Sequence, residues 1–174
     1  MLLRRERPGD ESGIAAVHAA AFARPEAPGV EPPEVGLVHE LRASSDWIPA
    51  LSIVAALDGS IAGHVVCSRA TIADRYPVLG LGPLGVAPEH HGTGIGTALM
   101  HAVIAAADAL DERLIALLGS VEYYERFGFE AAAEHAVTAP HDWYGAHFQV
   151  RLLTNARGDE RGPFRYAAAF DLVP

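Results

Sequence analysis

The chain has 174 residues, half of them apolar and 20% charged, and this fits a single globular domain over residues 1–174. Acidic residues outnumber basic ones by 22 to 13, and the resulting charge of -9 repels phosphate backbones and anionic lipid surfaces, so we expect neither nucleic acid nor a membrane as a partner. Every basic residue is an arginine, which excludes a catalytic lysine and the lysine-dependent phosphate loop.

A single cysteine, Cys67, excludes an intrachain disulfide, and its apolar neighbours predict that it is buried. The N-terminus lacks the apolar stretch of a signal peptide, and the sequence has no long apolar run of the length that spans a bilayer. We therefore expect a cytoplasmic protein. The composition is compatible with a monomer or a homodimer.

The first third of the chain predicts two helices and three strands. A turn with Asp10 as the candidate N-cap begins the first helix, and a proline-rich loop over residues 23–33 separates it from the second. The turn Asp58-Gly59-Ser60 indicates a β-hairpin. The predicted strands are 2–6, 52–57 and 61–70, and the second helix covers 34–43.

The centre of the chain predicts a strand, a long helix and a second strand. Residues 76–86 are apolar but interrupted by glycines and a proline, which indicates a bulged and splayed strand. Residues 95–110 have the apolar period of a helix, and 113–118 form an apolar run of strand length. A strand that is connected through a helix to a second strand of the same sheet normally lies parallel to it, so we expect 76–86 and 113–118 to be parallel.

The last third predicts a short helix over residues 121–127, with Ser120 as its N-cap and Gly128 as its C-terminal stop. Alternating apolar residues predict a strand over 147–152, and another is expected within 164–172.

The segment from Val86 to Thr97 reads VAPEHHGTGIGT and leads into the long helix. The first amides of a helix lack internal partners and carry a partial positive charge, so this end can bind an anion, and three glycines let a phosphate approach the backbone. A pyrophosphate is the ligand that fits best. A dinucleotide fold would need glycine in place of Thr97, whereas a tight structural turn without a ligand remains an alternative.

Two motifs in this order are similar to those of the GCN5-related N-acetyltransferase superfamily. The signature [QR]-x-x-G-x-[GA] falls on His91 to Gly96, with histidine at its first position, and Leu118 to Phe129 resembles the "YY-x-R-F-G-F" segment of one bacterial branch. The alignable order covers residues 2–152. The resemblance implies an α/β fold with a mainly antiparallel sheet of six or seven strands, a splayed parallel pair, and helices on both faces.

By this resemblance the ligand is acetyl-CoA, and Tyr124 donates a proton to the CoA thiolate while Tyr123 packs in the core. The pantetheine would pair with the backbone of Leu84, Gly85 and Val86. The pyrophosphate would be bound by His91, Gly92, Thr93, Gly94, Ile95, Gly96 and Thr97.

The acceptor would be a primary amine of a small molecule or a protein, but the general base is not evident because residues 78–86 contain no carboxylate. His64 would serve if it faced the cleft, and Glu31 and Glu34 would hold a cationic amine. All three also fit a purely structural role. The histidine and cysteine spacing predicts no metal site. A non-catalytic acyl-CoA-binding module on the same fold, or a structural protein that binds no acyl-CoA, is the alternative.

Overall fold

The computed structural model describes residues 1–173. Its strands are β1 (Leu2–Arg5), β2 (Trp47–Leu57), β3 (Ser60–Ile72), β4 (Tyr76–Val86), β5 (Leu114–Leu118), β6 (Glu130–Ala131), β7 (Val137–Thr138), β8 (Phe148–Leu152) and β9 (Gly162–Arg165). The α-helices are α1 (Glu11–Ala21), α2 (Pro33–Ala43), α3 (Ile95–Ala109) and α4 (Val121–Tyr124). Short 3-10 segments cover Pro88–His90, Glu125–Phe127, Ala132–His135, Asp142–His147 and Ala168–Leu172.

The main sheet has seven strands in the order β1-β2-β3-β4-β5-β8-β6, and its neighbours are antiparallel except for β4 and β5. The two-residue strand β7 pairs in parallel with β9, which joins the sheet beside β3. This arrangement confirms the predicted fold class, including the parallel pair made by the crossover through α3.

Helices cover both faces of the sheet because successive strand residues point to opposite sides. Ile53 and Val65 pack in the core cluster that contains Leu99 of α3. Val54 lies with α1 and α2, in the opposite layer. Cys67 is buried on the α3 side, as its sequence context predicted, and burial raises the pKa of its thiol.

Asp10 occupies the predicted N-cap position of α1, although its carboxylate binds Arg4 and the backbone N–H of Arg7 and makes no capping hydrogen bond. One local prediction was wrong in its extent. The last predicted strand ends at Arg165, and a 3-10 segment follows in which Phe170 stacks on Tyr166. Ala169 and Phe170 of this segment are partly buried against Leu37 and Leu41 of α2.

No helix within residues 1–173 combines the length and the apolar character that crossing a membrane requires.

Candidate active site at the splayed strand pair

Strands β4 and β5 pair only at Leu79–Ile115 and Gly80–Ala116 within the described chain, while β4 continues beside β3 as far as Val86. The outer half of β4 therefore has one open edge. Two cavities adjoin it, and both are lined by Leu84. We call the first, of about 230 Å³, the inner cavity, and the second, of about 450 Å³, the loop cavity.

The loop cavity lies at the N-terminus of α3. Gly92 and Gly94 have φ values of +75° and +88°, and a Cβ atom added at either position would meet no atom within 4 Å. The backbone is thus held in a conformation that favours glycine, with open space where a ligand can approach. The predicted residues that line this cavity are Val86, His91, Gly92, Gly94, Ile95, Gly96 and Thr97, with Leu84 at its inner end.

His91 fixes the loop to the sheet. Its Nε2 donates a hydrogen bond of 2.9 Å to the carbonyl oxygen of Val86, the last residue of β4. Thr93 is the one predicted loop residue whose side chain is not part of the cavity wall, because its hydroxyl donates to the His90 carbonyl at 2.7 Å. The histidine that departs from the family signature therefore holds the loop and the strand end together.

The loop cavity also has lining residues that were not predicted as part of the site, namely Ala21, Phe22, His90, Tyr123 and Arg126. The Arg126 guanidinium lies 4.1 Å from the ring centroid of Tyr123, and its Nε donates to the Tyr123 carbonyl at 2.9 Å. A Cβ at Gly96 would lie 2.7 Å from the Tyr123 hydroxyl oxygen. The assignment of Tyr123 to the core was therefore wrong in part: it is half-buried, and its hydroxyl reaches the first turn of α3. The spacing of three residues between Tyr123 and Arg126 within a helical turn was the signal available.

Tyr124 lies on the other side and lines the inner cavity together with Leu81, Leu84 and Leu118. Gly119 allows this placement, because a Cβ there would collide with the Tyr124 ring. Burial, and to a smaller degree the neighbouring Tyr123, raises the pKa of Tyr124 to about 12. Its phenol is therefore protonated at neutral pH and available as a donor.

Glu34 is the one acidic residue among those lining the inner cavity, and its Oε2 atom is buried without a hydrogen-bond partner in the described structure. It lies in the first turn of α2, directly after Pro33. Glu31 is exposed and lines a different cavity, between α1 and α2. The structure thus separates the two glutamates and brings only Glu34 close to Tyr124.

His64 has no exposed surface and lines neither cavity. Its Nδ1 is 2.8 Å from Nε2 of His18, and its Nε2 is 2.9 Å from the Ser52 hydroxyl, which donates to the Glu6 carboxylate. The other Glu6 oxygen accepts from Nε of Arg42 at 2.7 Å. Direct contact between His64 and a substrate in either cavity is therefore excluded in this conformation.

The buried chain from His18 to Glu6 has one consistent arrangement of protons. A carboxylate only accepts, so Ser52 donates to Glu6, His64 Nε2–H donates to Ser52, and His18 Nε2–H donates to His64. His18 Nδ1 is left as a buried lone pair without a partner, and a Cβ at Gly85 of β4 would lie 2.7 Å from it. The chain therefore ends directly behind the open half of β4.

Both histidines of this chain are neutral at physiological pH. Burial, assisted by the nearby Arg42 charge, lowers the pKa of His18 to about 4. Burial also lowers the pKa of His64 well below its usual value. His18 and Arg42 lower this pKa further, and Asp10 has a smaller effect that raises it.

Among the described residues there is no cluster of three or more histidine, cysteine, aspartate or glutamate side chains arranged to hold a metal ion.

Comparisons with known proteins identify the family. Residues 22–129 match the model of the acetyltransferase (GNAT) family. The chain is 30% identical to the N-acetyltransferase YhbS of Escherichia coli K12, over 98% of this chain and 99% of that protein.

Solved structures agree with this match. The crystal structure of YhbS from Escherichia coli in complex with CoA has a TM-score of 0.87 at 28% identity, covering 98% of this chain and 91% of that one. A GNAT family acetyltransferase from Brucella melitensis in complex with acetyl-CoA has a TM-score of 0.79 at 33% identity, covering 98% and 97%. The protein is therefore an acyltransferase that belongs to the acetyltransferase (GNAT) family.

Proposed function

We propose that the protein transfers the acetyl group of acetyl-CoA to a primary amine of a small molecule or a protein. The observation that carries this proposal is the placement of an anion-binding helix end and a buried phenol at the two ends of one open strand edge. Leu84 and Phe22 line both cavities and so join them. The CoA and acetyl-CoA complexes of the two related structures support the same ligand.

The residues of the loop cavity fit the pyrophosphate of acetyl-CoA. The amides from Gly92 to Thr97 and the partial charge of the α3 N-terminus would bind it, and Arg126 adds a positive side chain. His91 would keep the loop in place through Val86. The pantetheine would lie along the open edge at Leu84, Gly85 and Val86, where extended backbone can form strand-like hydrogen bonds.

When bound, acetyl-CoA supplies the activated acetyl group as a thioester. A neutral amine forms the new C–N bond, the C–S bond breaks, and the amine gives up one proton to water. Tyr124 donates its hydroxyl hydrogen to the departing sulfur, which leaves as the CoA thiol, and a backbone N–H of the open β4 edge stabilises the negative charge that develops on the carbonyl oxygen. The proton that the amine gives to water then returns to the Tyr124 phenolate, so the donor is restored and no net proton is gained or lost. Because Tyr124 is protonated across the neutral range, this donor is present before the reaction begins.

We assign the ammonium form of the acceptor to Glu34, the acidic residue in the otherwise aromatic and aliphatic wall of the inner cavity, whose Oε2 atom has no hydrogen-bond partner among the described residues. A positive charge on the acceptor would compensate that oxygen. Glu31 lies too far along the α1–α2 surface to share this role, and His64 is sealed behind the sheet. The proton of the acceptor is therefore assigned to water and not to a side chain of β4.

The test is the variant Tyr124→Phe, for which we expect kcat to fall at least about hundredfold, the range of a lost proton donor, with unchanged acetyl-CoA affinity. Release of free thiol with a panel of amines measures turnover, and calorimetry measures binding. Tyr76→Phe is the matched control, because Tyr76 lines neither cavity.

Wild-type turnover by Tyr124→Phe would contradict the donor role. Tight acetyl-CoA binding by the wild-type protein without thiol release for any amine would instead indicate the non-catalytic binding module.

A further inference from the structure

We propose that the acceptor amine is carried on an aromatic body that extends from the inner cavity into a neighbouring groove. We call this the aromatic groove, and its lining residues are Pro140, His141, Trp143, Tyr144, Phe164, Arg165, Tyr166, Phe170, Asp171 and Val173. The inference rests on the proposed function, because the amine end is the one that Glu34 and Tyr124 would receive.

The inner cavity and the aromatic groove adjoin each other. They share four lining residues, Tyr144, Tyr166, Phe170 and Val173. The inner cavity has a volume of only about 230 Å³, whereas the groove has about 600 Å³. A molecule that places its amine beside Tyr124 and extends beyond the inner cavity can enter the groove, because the groove begins at the same wall.

The shared wall presents aromatic rings in a fixed arrangement. Tyr166 and Phe170 stack with ring centroids 4.4 Å apart and an angle of 24° between the rings. Tyr144 meets the edge of Trp143 at 4.4 Å, and Trp143 lies nearly parallel to His141 at 6.0 Å. These contacts hold the rings in place before any ligand binds, so stacking on them costs little conformational entropy.

Trp143 is the feature of the groove that packing within the chain does not explain. It is 68% exposed, and it is the one aromatic residue among the exposed large hydrophobic side chains of residues 1–173. Its indole stands at the wall of the aromatic groove beside the rings of His141 and Tyr144, where a flat ligand can stack on it. Because the groove continues into the cavity of Tyr124, the occupant favoured here is the acceptor itself.

The charges favour an amine with an uncharged body. Glu34 provides an acceptor oxygen without a hydrogen-bond partner at the inner end. In the groove, Arg165 pairs with Asp74 at 3.2 Å, and Asp171 adds a further negative charge. An anionic body would therefore gain little from this surface, whereas a neutral fused-ring aromatic group can stack on Trp143 and on the shared wall.

The test compares two acceptors, propylamine and 3-(1-naphthyl)propylamine, by their kcat/KM values with saturating acetyl-CoA. We expect the wild-type protein to prefer the naphthyl amine at least about tenfold. In Trp143→Ala this preference should fall about three- to tenfold, the range for loss of an aromatic pair, and Trp143→Phe should restore most of it. Leu110→Ala removes an exposed side chain outside both cavities and should keep the wild-type preference.

Other outcomes overturn the inference in distinguishable ways. If the wild-type protein acetylates both amines equally well, or if Trp143→Ala keeps the full preference, the groove does not hold the acceptor body, although the proposed acetyl transfer still stands. If neither amine is acetylated while another amine of the panel is, this inference fails and the proposed acetyl transfer still stands; if acetyl-CoA binds and no amine of the panel is acetylated, both fail. Circular dichroism spectra and melting temperatures of the Trp143 variants verify that they are folded.

Discussion

The end of β4 separates two histidine-containing regions with opposite surroundings. On one side His91 is exposed and donates to the Val86 carbonyl at the edge of the loop cavity. On the other side His18 and His64 are fully buried, and His18 lies directly over Gly85. One region is open and built from backbone amides, and the other is a sealed chain of side-chain hydrogen bonds.

The two regions tolerate change differently. In the loop cavity a side chain needs only to donate to one strand carbonyl, so a histidine can replace the glutamine or arginine of the family signature. In the buried chain each proton has one possible position, because every donor between His18 and Glu6 already has its acceptor. A single unmatched charge or donor there has no water to compensate it.

The largest expected effect concerns acid stability. The unfolded chain protonates His18 near pH 6.5, but the folded chain does so only near pH 4. The unfolded state therefore binds the extra proton between these values, and the stability present above pH 6.5 is lost as the pH falls toward 4. We expect a loss of about 3 kcal/mol from His18 alone, with His64 adding to it. Urea unfolding at a series of pH values measures the effect.

The variants His18→Gln and His39→Gln make this prediction specific. His39 is exposed on α2, so its replacement should leave the pH dependence unchanged, whereas His18→Gln should reduce it and leave the part that comes from His64. A flat stability profile between pH 6.5 and 4 for the wild-type protein would show that the buried chain accepts protons while folded.

The second effect concerns the loop cavity. Gly94→Val should weaken acetyl-CoA binding about hundredfold, or about 2.8 kcal/mol. Valine is strained at a φ of +88°, and its side chain would occupy the open space that we assign to the pyrophosphate. Calorimetric titration with acetyl-CoA measures this loss. Gly36→Val, in a helix and likewise facing open space, should keep wild-type affinity, and unchanged affinity of Gly94→Val would refute the phosphate cradle.

The smallest effect concerns Arg126. Arg126→Gln should weaken acetyl-CoA binding about tenfold and reduce the dependence of affinity on salt concentration, because one charged phosphate contact is lost at an exposed site. Arg75→Gln is a matched control, since Arg75 also lies over a tyrosine ring, at 4.5 Å from Tyr76, but lines neither cavity. Equal affinities of both variants would remove Arg126 from the binding site.

The sequence determined the features that depend on neighbouring residues. The strand from Tyr76 to Val86 and the start of α3 at Ile95 lie where they were predicted, because apolar period and turn chemistry are local properties. Ser120 accepts from the Tyr123 N–H, and Gly128 has a φ of +75°, as helix termini with these residues require. Gly92, Gly94 and Gly96 of the loop before α3 were also identified from local sequence, because their spacing is visible in the chain itself.

Only the tertiary structure decided which distant side chains share a cavity. Glu31 and Glu34 are three residues apart, yet the packing of α2 places Glu34 beside Tyr124 and Glu31 between α1 and α2. His64 faces α1 because of its position in the pleat of β3, so it meets His18 and not the cleft. Such proximities depend on how strands and helices pack across the whole chain, and residue type and local spacing do not encode them.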